Sequence, residues 1–188
     1  LGEQGYTGEK IYAKAGVTVS DADQAAIRDA IGRGSLLVHF VGHGGRFIWR
    51  TGPPDWTKHR DLFNLDDVDK LAPSGKLPVV LAMTCYSAPF DHPTADSIGE
   101  KFLRDSQRGA VAVVAASWRN APNLTMSQAL VDQILIAPTL GEALQNAKQL
   151  SYDRDFIEQY NLLGDPALRL ARPPRPATAP VTAGGAAE

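Results

Sequence analysis

The 188-residue sequence holds one cysteine and two methionines, and aromatic residues make up only 7% of it. A single cysteine cannot build an internal disulfide framework, and it excludes a Cys-rich zinc site. Charge of neither sign dominates: 19 Lys and Arg stand against 21 Asp and Glu, for a net charge of −2 and a pI near 6.1. The electrostatic footprint of a nucleic-acid-binding protein is therefore missing. The one local basic enrichment, Arg46, Arg50, Lys58, His59 and Arg60, reads as a solvated loop. No apolar run is long enough to span a membrane, and the first residues lack the basic-then-apolar pattern of a signal peptide. The chain opens on Leu1-Gly2-Glu3-Gln4, so we expect a processed piece of a longer protein, with any signal sequence lying upstream.

Short apolar runs rich in branched side chains are what the sequence does have. Leu36-Leu37-Val38-His39-Phe40-Val41 closes in Gly42-His43-Gly44-Gly45, and Leu77-Pro78-Val79-Val80-Leu81-Ala82-Met83-Thr84 closes in Cys85. Each reads as a buried parallel strand feeding a loop. A third such run spans 109–115 and ends in Ser117-Trp118. Between them, Ser20 to Asp23 cap a helix reaching Gly32, with Ile27, Ala30 and Ile31 on one face. Thr94 or Asp96 caps a helix carrying Ile98 and Phe102. A helix over 124–137 aligns Met126, Leu130 and Ile134, and Thr139 with Glu142 forms a capping box for the next. We further expect a short strand at Ile11-Tyr12-Ala13, a long connection over 42–76 with a short helix near Asp66 to Leu71, a short helix at 153–160, and a turn and strand over 162–170. Strands alternating with helices predict a parallel sheet covered on both faces. From Ala171 onward the Pro-, Ala- and Gly-rich composition reads as a linker or disordered tail.

At the carboxyl ends of two parallel strands, where open α/β sheets build their sites, His43 and Cys85 become candidates for a nucleophile and its base. Cys85 alone reads as a buried small hydrophobe; the matching position of His43 reverses that reading. The backbone N–H groups of Gly44 and Cys85 are candidates for an oxyanion hole. His39, alternating with apolar neighbours, reads as a satisfied core or interface histidine and is the runner-up base. His59 and His92 read as surface residues. Asp61, Asp66, Asp67 and Asp69 lack the spacing of a calcium loop, so helix capping is their expected use. Gly42-His43-Gly44-Gly45 lacks the Lys-Ser/Thr of a phosphate loop. Trp49 and Trp56 either pack the 42–76 connection or line a cleft, packing being favoured. Asp165-Pro166 reads as turn chemistry.

Taken together, Val41-Gly42-His43-Gly44-Gly45, Ala82-Met83-Thr84-Cys85-Tyr86-Ser87, the 109–118 stretch and 160–168 resemble the caspase-like cysteine peptidases of clan CD, and among them the gingipain family. The resemblance covers about residues 30–170. It implies a caspase-like three-layer α/β/α sandwich with a mainly parallel sheet, occupying 1–170 and lacking its upstream part, followed by a tail over 171–188. It also implies a cysteine endopeptidase with Cys85 and His43 as catalytic dyad, acting on a protein or peptide substrate through a thioester; zinc is not expected on separate grounds, since His39 and His43, four apart, lie on a strand and its exit and not on a helix. Trp118 matches a wall of the S1 pocket, with Tyr86 and Ser117 beside it. Glu9 is a counterpart for the acidic residue that orients the histidine. No cofactor is implied; calcium enters only as a structural ion, as in some gingipain-like enzymes. A secreted or cell-envelope location rests on the resemblance alone. Because the family's catalytic unit begins earlier, another chain or an upstream segment is the expected partner completing the domain. The alternative, from another class, is a catalytically inactive peptidase-like domain serving as a protein-binding or regulatory module. Asp91, Asp96, Arg46 and Arg119 are the charges that could set substrate preference, and the sequence does not order them.

Overall fold

Val79-Val80-Leu81-Ala82-Met83 and Ala112-Val113-Val114-Ala115-Ala116 carry no polar side chain, so strands made from them must be covered on both faces. The computed structural model describes residues 5–12, 18–52 and 61–172. Its elements run α1 (Asp21–Gly32), β1 (Leu37–Val41), β2 (His43–Gly45), β3 (Ile48–Arg50), β4 (Asp61–Asn64), α2 (Leu65–Asp69), β5 (Val79–Met83), α3 (Ile98–Arg104), β6 (Ala112–Ala116), α4 (Leu124–Ile136), α5 (Leu140–Gln149), α6 (Arg154–Gln159) and β7 (Tyr160–Gly164). The main sheet has the order β1-β5-β6-β7. β1, β5 and β6 are parallel, and β7 closes the far side antiparallel to β6.

The two-residue alternation of a strand sorts the apolar side chains into two cores. Val79, Leu81, Met83, Ala112, Val114 and Ala116 pack against Leu130 and Ile134 of α4, Leu140 of α5 and Phe156 of α6. Val80, Ala82, Val113 and Ala115 face Val68 of α2 and Ile98 and Phe102 of α3, with Ile31 of α1 in the same core. Every residue of β5 and β6 is buried. β1 is less covered: it pairs only with β5 among the described residues, and His39 and Val41 are exposed. The result is an α/β/α arrangement with a mainly parallel sheet, as expected.

Several local expectations are corrected. The connection after β1 is not merely a loop. It folds into a small antiparallel sheet, β2-β3-β4, whose strands are only three or four residues long. Trp49 of β3 is buried at 2% exposure and stacks on Phe40 at 4.7 Å, with Phe63 and Phe102 at 5.4 and 5.7 Å. It is thus a core residue, and its aromatic stack pins the small sheet to the large one. Trp56, Lys58, His59 and Arg60 lie outside the described residues. The cap of α3 is Ser97, not Thr94 or Asp96; its hydroxyl accepts from the Glu100 amide while Glu100 reaches back to the Ser97 amide. Ile11 and Tyr12 are exposed and form no strand with any described segment, and Ala13 lies outside the described residues. The last strand begins at Tyr160, two residues earlier than expected, because Tyr160 seals the core as a buried ring beside Phe156.

Candidate active site

Register brings the exits of the two candidate strands side by side. Val41 of β1 is the partner of Met83 of β5, so His43 and Cys85 each lie two residues beyond the same rung, on strands about 4.8 Å apart. After β1 the chain passes Gly42 and doubles back through β2 and β3, with Arg46 and Phe47 at the hairpin tip. The Cys85 thiol donates a hydrogen bond to the Gly44 carbonyl at 3.2 Å. The His43-Gly44 hairpin and the Cys85 loop therefore touch.

Gly44 is required by close approach. A Cβ at this position would strike the Thr84 hydroxyl and lie 2.8 Å from both Thr84 Cγ2 and Ser87 Oγ. Those two hydroxyls are buried and take no hydrogen-bond partner among the described residues. Overpacking of this kind costs about 1–3 kcal/mol. Gly44→Ala is expected to lower the unfolding free energy by about that amount in a denaturant titration; a midpoint equal to the parent's would show that the hairpin does not sit on the Cys85 loop as described.

Tyr86, immediately after Cys85, has a φ of 54° and is the single non-glycine in the left-handed region among the described residues. Such a conformation costs roughly 1–2 kcal/mol, and three contacts offset it. The Tyr86 amide donates to the Trp118 carbonyl at 3.0 Å. Its ring meets Trp118 edge to face, with centroids 5.4 Å apart. The Arg46 guanidinium stands 5.4 Å from the ring centroid. The sharp turn ends β5 and leaves Cys85 half-buried at the sheet edge.

The other residues singled out in the sequence fall in different places. His43 is exposed, and its ring makes no hydrogen bond among the described residues. Trp118 is 56% exposed beside Tyr86. The Ser117 hydroxyl is occupied, donating to the Gln159 carbonyl at 3.1 Å and accepting from Asn161 at 3.1 Å, so its side chain ties the base of Trp118 to β7. Glu9 is not brought to His43: its carboxylate lies 2.6 Å from Arg33 at the end of α1. His39 shares a 2.7 Å hydrogen bond between Nε2 and Ser127 Oγ of α4. Although the residue keeps surface at the sheet edge, loss of solvent around the ring lowers its pKa from the ordinary imidazole value. His92 Nδ1 accepts from the Thr94 and Ala95 amides at 3.2 and 2.9 Å, which makes it a turn residue.

The charges near the site are mostly spent on one another. Arg46 pairs with Asp91, and Arg104 with Asp96 at 3.1 Å. Arg119 is exposed and has no ion pair among the described residues. Of the acidic group expected to cap helices, Asp67 does so, its carboxylate accepting the Asn64 amide at 2.9 Å in the capping box of α2 while also pairing with Arg28, and Asp66 sits in the same first turn; Asp61 pairs instead with Arg50 and Asp69 with Lys101. No cluster of three or more His, Cys, Asp or Glu suited to a metal is found among the described residues. An open groove of about 500 Å3 between α5, α6 and β7, lined by Leu144, Lys148, Ile157 and Leu162 among others, contains no residue of the His43 or Cys85 loops. No helix among the described residues is long and apolar enough to cross a membrane.

The contribution of Tyr86's backbone and of Arg46 could not be read from sequence, since a tyrosine at positive φ has no local signature. The glycine-rich run after β1 was the only hint of a tight approach.

The family model of peptidase family C25 matches residues 2–171, and the chain belongs to this family of cysteine peptidases. Among solved structures, it is similar to the Arg-specific cysteine proteinase gingipain R, with a TM-score of 0.67 and 23% identity over 85% of this chain and 38% of that one. It is likewise similar to the complex of Porphyromonas gingivalis RgpB pro- and mature domains, with a TM-score of 0.65, 20% identity and the same coverage. A third solved protease gives a TM-score of 0.61 at 14% identity, over 77% of this chain and 37% of that one. At such identities the likeness establishes the caspase-like fold. The chain spans less than two fifths of each of these proteins. No curated protein sequence matches it.

Proposed function

We propose that this chain carries the Cys-His dyad of a cysteine endopeptidase. The observation behind this reading is that β1 and β5, paired in register, deliver the His43-Gly44 hairpin and Cys85 to one place, with Sγ 3.2 Å from the Gly44 carbonyl. Cys85 gives its proton to His43 and attacks the scissile carbonyl, and the tetrahedral oxyanion is met by the amides of Gly44 and Cys85. The Tyr86 amide takes no part, being already donated to Trp118. His43 then protonates the leaving amine, and a water activated by the same imidazole hydrolyses the thioester. Trp118, held upright by Tyr86 and anchored through Ser117, forms an apolar wall for a substrate side chain. An upstream segment or a second chain supplies the remaining walls, consistent with the fraction of the gingipain chain that this one spans.

One observation favours the second reading, a binding module without catalysis: the thiol's hydrogen bond goes to Gly44 and not to the His43 ring. Catalytic hydrogen bonds are often long until substrate arrives, so the two readings are separated by experiment. A peptidyl acyloxymethyl ketone, followed by mass spectrometry, is expected to modify Cys85 at least about 100-fold faster than the same electrophile without its peptide, because the peptide holds the warhead in a near-attack pose. Equal rates on a folded chain would leave only the binding module.

A further inference from the structure

We propose that Arg46 is a positioning residue of this site, a strap that fixes the His43 hairpin against the Cys85 loop; the proposal rests on the peptidase reading given above. Arg46 occupies the hairpin tip just after Gly45, yet only 12% of its side chain is exposed. A long cation at a hairpin turn ordinarily extends into water. This one turns inward and divides its donors among three points of the following loop. Nη1 donates to the Ala95 carbonyl at 3.3 Å, and Nη2 donates to the Tyr86 hydroxyl at 3.3 Å and to the Asp91 carboxylate. The guanidinium also stands 5.4 Å from the Tyr86 ring centroid. The Arg46 carbonyl accepts the Ile98 amide at 2.6 Å, at the start of α3.

One residue thus contacts the chain at 86, 91, 95 and 98, the stretch that leads from Cys85 into α3. Only a planar fork can serve a carboxylate, a hydroxyl and a carbonyl together while stacking on a ring. The contact that matters for the chemistry is the one on Tyr86, the residue directly after Cys85, whose backbone lies in the left-handed region. With its charge already paired to Asp91 and its side chain turned inward, Arg46 is poorly placed to recognise an acidic substrate. Asp91, its carboxyl held below the ordinary carboxylate range by Arg46, stays charged at neutral pH and keeps the strap closed there.

The test is Arg46→Ala in the full chain, with Asp91→Asn as a milder second variant, read by peptide turnover and by amide hydrogen exchange. We expect kcat to fall about 10- to 100-fold while KM stays within about twofold, the signature of misplaced reacting groups. Exchange at the Tyr86 and Ile98 amides is expected to quicken about tenfold, with the amides of β5 and β6 unchanged as proof of an intact fold. Asp91→Asn moves both readouts in the same direction and by less. A folded Arg46→Ala chain with unchanged exchange at Tyr86 and Ile98 overturns the strap, as does a lowered kcat without that change or an equal rise in KM. If the chain joined to the segment or partner that completes its walls shows no turnover, the peptidase reading fails by itself, and the exchange rates still decide whether Arg46 holds the loop.

Discussion

Replacing Cys85 by alanine is expected to abolish peptide hydrolysis and covalent capture by thiol-directed peptidyl inhibitors, with the fold intact. The expectation is strict because no other thiol exists in the sequence to substitute for it. Loss of a nucleophile that forms the acyl-enzyme removes the reaction path itself, and comparable knockouts cost on the order of 10⁶-fold in turnover. Little stability should be lost, since Cys85 is half-buried at a strand exit and not among the core side chains. Steady-state turnover of a peptide pool, with circular dichroism on the same sample, checks it. Hydrolysis retained at even one hundredth of the parent rate would place the nucleophile elsewhere.

His43→Ala is expected to lower kcat by about 10²–10⁴-fold, the usual contribution of a positioned acid-base group. The side chain is exposed and makes no hydrogen bond among the described residues, so its removal leaves the fold unaffected. The two rival imidazoles are poorly placed to compensate. His39 is engaged by Ser127 of α4, and His92 spends Nδ1 on two backbone amides of its own turn. Activity surviving in His43→Ala and lost in His39→Ala or His92→Ala would transfer the base role to that residue.

The parts of this architecture that could be read from sequence are those governed by local pattern. β5 and β6 announce themselves because a strand buried on both faces must be apolar throughout, and α1, α4 and α5 because caps and stripes are short-range signals. The small sheet is illegible in the sequence for the converse reason. Strands of three residues carry too little alternation to register, and His43-Gly44-Gly45 looks like a loop until Trp49 is seen buried against Phe40. Thr94 and Asp96 are cap-forming residues as much as Ser97 is, and the Glu100 side chain on the Ser97 amide settles the choice. At the site, the strand-end positions of His43 and Cys85 were legible from hydrophobic runs. What joins them was not: the pairing of Val41 with Met83, the notch of Thr84 and Ser87 around Gly44, and the ion pair of Arg46 with Asp91 are all contacts between segments distant in sequence. The same holds for Glu9, which Arg33 captures.

The uneven cover of the central sheet has a kinetic meaning. Cys85 follows a strand flanked by partners on both sides and sealed by helices above and below, whereas His43 follows a strand with a single described partner and two exposed side chains. Local opening free energies track such cover. Breathing at the rim of the sheet therefore moves the His43 hairpin more readily than the Cys85 loop, so in the proposed dyad the two partners would have different lifetimes, the shorter one on the histidine side.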